Sequence, residues 1–274
     1  MTRNVLTLSG LCAALLLAGC GSDSSILGGS STPPITVTPA EGAEGVWRGN
    51  INTPVANARL MEAMILGDGD FWMVYSNSND PTQTDALLAA TGIVSGTATP
   101  NDNGTYTVTS ARHISLEDSR RNSVGVSGTF STGSTLTGTI TQSPAVPGSS
   151  LPSPADFTAL YRTAYNNNLT LAHLAGTYNG SMTTNAGKNS STITIDGAGA
   201  ITGSDNTGCT FTGTATTRER GNVFDVTLAV GNHTGCGAAA NKSMAGVISL
   251  ETNRAGLLAL DGEQKQAFIF SGVK

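Results

Sequence analysis

Gly96-Thr97-Ala98-Thr99, with Gly104 following after four residues, returns as Gly213-Thr214-Ala215-Thr216, with Gly221 following after four. Upstream, Gly67-Asp68-Gly69-Asp70-Phe71 has the shape of Gly197-Ala198-Gly199-Ala200-Ile201, and Gly45-Val46-Trp47-Arg48-Gly49 that of Gly176-Thr177-Tyr178-Asn179-Gly180. Order is preserved, and the first glycines of the three pairs are offset by 131, 130 and 117 residues. The shrinking offset reflects a longer segment, 77–91, between the third and fourth strands of the first copy. A chain that repeats at such a period builds one structural unit twice.

Within each copy the apolar period is two. Phe224, Val226, Leu228 and Val230 fall on one face and Asp225, Thr227 and Ala229 on the other, as in a half-buried strand. Tyr106 and Val108 repeat the pattern in the first copy. Runs between turn signals predict eight strands in the first copy, near 45–52, 58–66, 70–76, 88–98, 104–113, 122–131, 134–142 and 156–163. The second copy offers 176–184, 190–196, 199–204, 208–216, 222–230, 243–251, 255–262 and 266–273. Gly67-Asp68-Gly69, Asn103-Gly104, Asp196-Gly197 and Asp261-Gly262 supply the turns. Eight short antiparallel strands close naturally into a barrel without exposed edges. The expected fold is all-β, two tandem antiparallel up-and-down eight-stranded β-barrels, with a two-sheet sandwich as the alternative closure.

The prolines at 144, 147, 152 and 154 are read as a loop inside the first barrel, because Phe157-Thr158-Ala159-Leu160-Tyr161 corresponds to the closing strand Phe268-Ile269-Phe270. The domains are accordingly 44–167 and 168–274, with Thr170 capping a helical turn that leads into Gly176.

Composition agrees with many turns and little solvated helix: Gly is 34 of 274 residues, and charged residues are 12%. A net charge of −5 supplies no basic field for phosphate backbones, so no nucleic-acid partner is expected.

Arg3 precedes an apolar stretch, 5–17, that is too short to span a bilayer and ends in Leu17-Ala18-Gly19-Cys20. That ending resembles the lipobox of bacterial lipoproteins. The resemblance implies a signal peptide over 1–19, and Cys20 as the first mature residue, carrying a diacylglyceryl group and commonly a further acyl chain such as palmitate. Several acyl chains anchor far more firmly than one. Gly21 stands where lipoproteins kept in the inner membrane of enterobacteria often have Asp, which implies an outer-membrane anchor facing the periplasm or the outside. Residues 20–43, rich in Ser with Pro33, Pro34 and Pro39, are expected to form a disordered tether.

The Gly-x-Trp-x-Gly start of the first copy resembles the first strand of lipocalins and avidins. The tandem arrangement on a lipid tether is similar to barrel-bearing surface lipoproteins of Gram-negative bacteria, such as the transferrin-binding and factor H-binding types, by architecture rather than by motif.

Cys12 leaves with the signal and Cys20 is lipidated, so Cys209 and Cys236 remain as a disulfide pair in an exported chain. It would fold the 231–241 loop back onto the start of its strand. His113, His173 and His233 lie apart, accompany no nucleophile signature, and are read as surface or loop residues. Asp68 and Asp70 are read as a hairpin turn rather than a calcium loop, and Arg218-Glu219-Arg220 as a solvated hairpin tip. No catalytic residue, cofactor or metal site is expected. The function expected is therefore non-enzymatic: an outer-membrane lipoprotein displaying two barrels for a protein partner or for envelope structure. The alternative is a lipocalin-like carrier whose first barrel holds a small apolar ligand with Trp47, Trp72 and Tyr75.

Overall fold

The structure is a computed structural model, which describes residues 32–52, 59–76, 85–142 and 151–274. The signal peptide, Cys20 and the proline-bearing 143–150 segment lie outside the described residues. The first barrel comprises β2 (Gly45–Asn52), β3 (Arg59–Ile65), β4 (Asp70–Ser76), β5 (Ala90–Pro100), β6 (Thr105–Ser115), β7 (Arg121–Ser131), β8 (Thr135–Gln142) and β9 (Ala155–Tyr161), after a short β1 (Thr36–Val37). A connection containing β10 (Asn167–Asn168) and α1 (Leu171–Leu174) leads to the second barrel. That barrel comprises β11 (Gly176–Thr184), β12 (Gly187–Ile195), β13 (Ala200–Asp205), β14 (Thr210–Thr217), β15 (Val223–Val230), β16 (Ser243–Glu251), β17 (Arg254–Asp261) and β18 (Ala267–Val273). The sixteen barrel strands lie within three residues of their expected ends.

Both barrels are closed. Each strand pairs antiparallel with its sequence neighbours, β2 returns to β9, and β11 returns to β18. The pairing excludes a two-sheet sandwich.

Equivalent residues of the two copies do the same physical work. The Trp47 ring nitrogen donates to the Ala43 carbonyl at 3.2 Å, and the Tyr178 hydroxyl donates to the Leu174 carbonyl at 2.6 Å, each four residues upstream. Gly69 and Gly199 adopt φ of +90° and +86°, and their carbonyls accept from Ala98 and Ala215, both at 2.7 Å. Gly49 and Gly180 sit where the first strand of each barrel presses against the last. A Cβ at either would lie 2.0 Å from a facing carbonyl oxygen, Thr158 in one barrel and Ser271 in the other.

The interiors are filled by side chains, as barrels of this strand number permit. Trp47, Phe71, Tyr75, Tyr106 and Phe157 are buried in the first; Tyr178, Phe211, Phe224, Phe268 and Phe270 in the second. Glycines open the space these rings occupy: a Cβ on Gly92 would meet the Tyr75 hydroxyl at 2.3 Å, and one on Gly203 would meet the Phe211 ring at 2.2 Å.

The two barrels also share a core. Register places Val46, Met64, Val74, Ile93 and Ile114 on the face of the first barrel opposite to Trp47 and Tyr75, that is, outward. All five are nonetheless buried, and they belong to one apolar cluster with Val223, Val247, Leu258, Leu260, Ala267 and Ile269 of the second barrel. Strands apolar on both faces read as continuous apolar runs rather than as alternation. Phe71-Trp72-Met73-Val74-Tyr75, Leu257-Leu258-Ala259-Leu260 and Ala267-Phe268-Ile269-Phe270 are such runs.

The connection holds part of the segment expected to be tether. Thr36 and Val37 pair with Asn168 and Asn167, and the Asn168 side chain donates to the Thr38 hydroxyl at 2.7 Å. Ala43 is wholly buried under Trp47. Pairing of this kind needs no apolar side chain, and Val37 remains 65% exposed.

Candidate binding site between the barrels

The three rings expected to line one chamber separate. Trp47 and Tyr75 point into the first barrel, whereas Trp72, between Phe71 and Met73 on β4, pairs with Met64 and Ser95 on the outer face. Period two forbids Trp72 from joining the other two. Inside the barrel Trp47 meets Tyr161 edge to face at 5.1 Å, and Tyr75 meets His113, so neither ring borders open space.

His113 is a second correction: it is fully buried, not a surface histidine. Its Nε2 lies 2.7 Å from the Tyr75 hydroxyl, and burial pushes its pKa down to about 4. The other two histidines organise backbone. His173 accepts from the N–H of Thr170, the residue expected to cap α1, at 3.1 Å, and His233 accepts from the Gly235 N–H at 3.0 Å. Cys209 and Cys236 are bonded, with Cα atoms 4.8 Å apart. Gly231 donates to the Thr210 carbonyl beside them, which lays the 231–241 loop against the start of β14 as expected. Among the described residues no group of three or more His, Cys, Asp or Glu side chains gathers at metal-binding distance.

Charged residues read as solvated clasp one barrel to the other. Arg218 of the second barrel, 12% exposed, pairs with Asp68 at 3.0 Å and Asp70 at 3.4 Å in the first barrel, and with its own Asp225. Burial raises the Asp68 carboxyl most, but the hydrogen bonds from Arg218 and the backbone, together with the Arg218 charge, outweigh it and leave Asp68 below the usual carboxylate range. Asp70 goes the other way, lifted by burial and by the neighbouring Asp68 charge against the pull of Arg218. At another point along the seam, Arg48 pairs with Glu62 at 2.7 Å and with Glu251 at 3.0 Å, and Arg162 also grips Glu251. Burial penalises the Glu251 charge, yet the hydrogen bond from Arg162 and the Arg48 charge hold its carboxyl below the ordinary value. Asp85, within the segment that distinguishes the first copy, pairs with Arg254 and accepts from Ser271 at 3.1 Å, while Leu87 packs over Gly256.

Open space lies along this seam rather than inside a barrel. A cleft of about 1150 Å³ is walled by the outer faces of β4 and β5 on one side and β14–β17 on the other. Trp72, Ser95 and Thr97 face it from the first barrel, and Thr227, Ala245 and Leu260 from the second. Register makes the second wall a continuous outward row, Thr214, Thr227, Ala245 and Leu260 on successive strands, with the Thr214 and Thr227 hydroxyls 2.9 Å apart. Two polar atoms near these walls are shielded from solvent without a hydrogen-bond partner: Ser95 Oγ beneath the first, and Asp261 Oδ2 on the inner face of β17, opposite Met244, behind the second. The other oxygen of Asp261 accepts from the Gln266 N–H at 2.9 Å, and the nearest cation to Oδ2, Lys242 Nζ, stands 3.9 Å away.

No protein-family model matches the chain, and no curated protein does. Among solved structures it is similar to a mutant form of the vaccine antigen transferrin-binding protein B from Haemophilus parasuis, at 8% identity over 86% of this chain and 76% of that one. The TM-score is 0.26, so the fold described above stands on its own strand pairing and not on that likeness.

The cleft and its Trp72 wall follow from a signal present in the sequence. The apolar runs on β3, β4, β17 and β18 mark strands with two buried faces, and two barrels with such strands must cover them against something.

Proposed function

We propose that the chain is a non-enzymatic lipoprotein of the bacterial outer membrane that presents its two barrels as one rigid head for binding on the head's outer surface. The observation that carries the reading is the filled interior of both barrels combined with their shared apolar core. A carrier of the lipocalin kind needs room around Trp47 and Tyr75, and those rings are packed. A display head needs a fixed outer surface, and a docked pair of barrels provides one larger than either barrel alone. The lipobox ending at Cys20 and the Ser- and Pro-rich segment after it supply the anchor and spacer in this reading.

Membrane fractionation tests it. The wild-type chain is expected to incorporate labelled palmitate and to sediment with outer membranes, and Cys20→Ala to lose both properties. A Cys20→Ala chain that still sediments with the membrane would sink the anchor. Protease added to intact cells then separates outward from periplasmic display.

A further inference from the structure

We propose that residues 85–88 are a strap by which the first barrel grips the second and fixes the single orientation in which the two are docked. The proposal rests on the reading of the barrels as one rigid head, and deepens it by naming the element that makes the head rigid.

The apolar seam rewards contact without prescribing its geometry. Burial of Val74, Ile93 and Leu258 has no preferred direction, so a single orientation calls for contacts that do. The Arg218 cluster at the rim is a weak source, because its carboxylates are about half exposed and water competes for them. The strap is both directional and dry.

Its place in the chain is the first sign. The connection from β4 to β5 runs over 77–89, whereas its counterpart in the second copy, between β13 and β14, runs over 206–209. The extra length belongs to one copy alone, and its described end lands on the other barrel. There Asp85 and Leu87 are 5% and 1% exposed. The Asp85 carboxylate pairs with Arg254 on β17 and accepts from the Ser271 hydroxyl on β18, and Arg254 in turn donates to that hydroxyl at 3.1 Å. Asp85 also accepts from the Leu87 N–H at 2.9 Å, a local turn that sets Leu87 over Gly256. On a third strand, β12, Lys188 donates to the Leu88 carbonyl.

Gly256 makes the room for Leu87. Register puts Ser249, Gly256 and Ser271 side by side on the outer face of the second barrel, next to the bulkier row of Val247, Leu258 and Ile269. The small residues leave a slot beside that row. No left-handed backbone angle requires glycine at 256, but a Cβ there would lie 2.9 Å from Leu87 Cδ1. A side chain in a slot, a charge pair beside it and a lysine on a separate strand together restrict both sliding and rotation.

The test reads orientation in the full lipidated chain in detergent micelles. Nitroxides carried on ketone-bearing side chains in place of Ser127 and Thr202, exposed residues of the two barrels, report the distance between them by pulsed electron resonance and leave the cysteines alone. Wild type is expected to give one narrow distance peak. Two substitutions then act on the slot with opposite effects on apolar area: Leu87→Ala removes it and Gly256→Ile adds it. Simple adhesion predicts opposite outcomes. The strap predicts the same outcome, a broad distance distribution in both, because each takes Leu87 out of its slot while circular dichroism shows both barrels still folded. Asp85→Asn, which keeps the shape and removes the charge without touching either barrel, is expected to broaden the peak as well. A narrow peak that survives Leu87→Ala and Asp85→Asn, or a Gly256→Ile chain with the wild-type peak, overturns the strap and leaves the rigid head standing. A broad distribution in the wild type overturns the rigid head itself, and the strap with it.

Discussion

His113 is neutral in the folded chain, and that has a measurable price in acid. Its pKa falls from about 6.5 to about 4 through burial in the first barrel, so between these pH values the unfolded chain takes up a proton that the native chain refuses. This contribution to stability is complete above about 6.5 and is lost as pH falls toward about 4, a total on the order of 3 kcal/mol. Denaturant unfolding of His113→Gln from pH 4 to 7 is expected to show a flatter pH profile than wild type; an unchanged slope would mean that His113 titrates normally. The burial of His113 was not legible from one histidine between Arg112 and Ile114, because only closure of the barrel places it opposite Val94 and against Tyr75. Gly49 and Gly180 were legible as repeat positions, and the structure supplies their reason. Gly49→Ala is expected to cost about 2–3 kcal/mol or more, because a Cβ 2.0 Å from the Thr158 carbonyl must push strands apart. Gly197→Ala, where a Cβ meets nothing within 4 Å, is the control and should melt near wild type.

At the scale of the element, strands and turns followed from alternation and Gly/Asn/Asp punctuation, because a barrel strand with one dry and one wet face obeys both. β15 is of that kind, with Phe224, Val226, Leu228 and Val230 buried and Thr227 and Ala229 exposed. The 231–241 loop was legible through its cysteine, and the bond pins a segment with little apolar anchoring of its own. Its Asp205 neighbour accepts from the Thr207 and Cys209 N–H groups at 2.9 and 3.0 Å, so the loop before β14 is fixed at both ends. On the chain-entropy account, a bond with a sequence separation of 27 is worth about 3–4 kcal/mol. The Cys209→Ala, Cys236→Ala double variant is expected to lose about that much, and wild type under reducing conditions should fall to the same midpoint. If reductant lowers the double variant as well, the effect does not run through this bond. Arg218 was misread at this scale because a hairpin tip with Arg-Glu-Arg looks solvated until a second barrel with Asp68 and Asp70 stands beside it.

At the scale of the molecule, the arrangement of the barrels follows from strands that break alternation, and its strength is testable without disturbing either interior. Leu258 points away from the second barrel's own core, since it pairs with Val247 and Ile269 on the outer face, yet it is fully buried among residues of the first barrel's cluster. An aspartate there leaves each barrel's interior side chains in place but puts a charge into the shared core, where it has no designed partner and costs several kcal/mol unless the surfaces part. The wild-type head is expected to unfold in a single calorimetric transition, because docking couples the two barrels. Leu258→Asp is expected to split this into two, with a larger radius of gyration by solution scattering, since the cleft's walls come from opposite barrels. An engineered salt-bridge loss at the rim, Arg218→Gln, should weaken docking less, because Asp68, Asp70 and Asp225 are about half exposed and water replaces much of what they lose. If Leu258→Asp instead keeps one transition and an unchanged radius, the barrels are held by the Arg48–Glu251 and Arg254–Asp85 pairs rather than by the apolar face. The order of severity between Leu258→Asp and Arg218→Gln therefore decides which of the two forces makes one head out of two barrels.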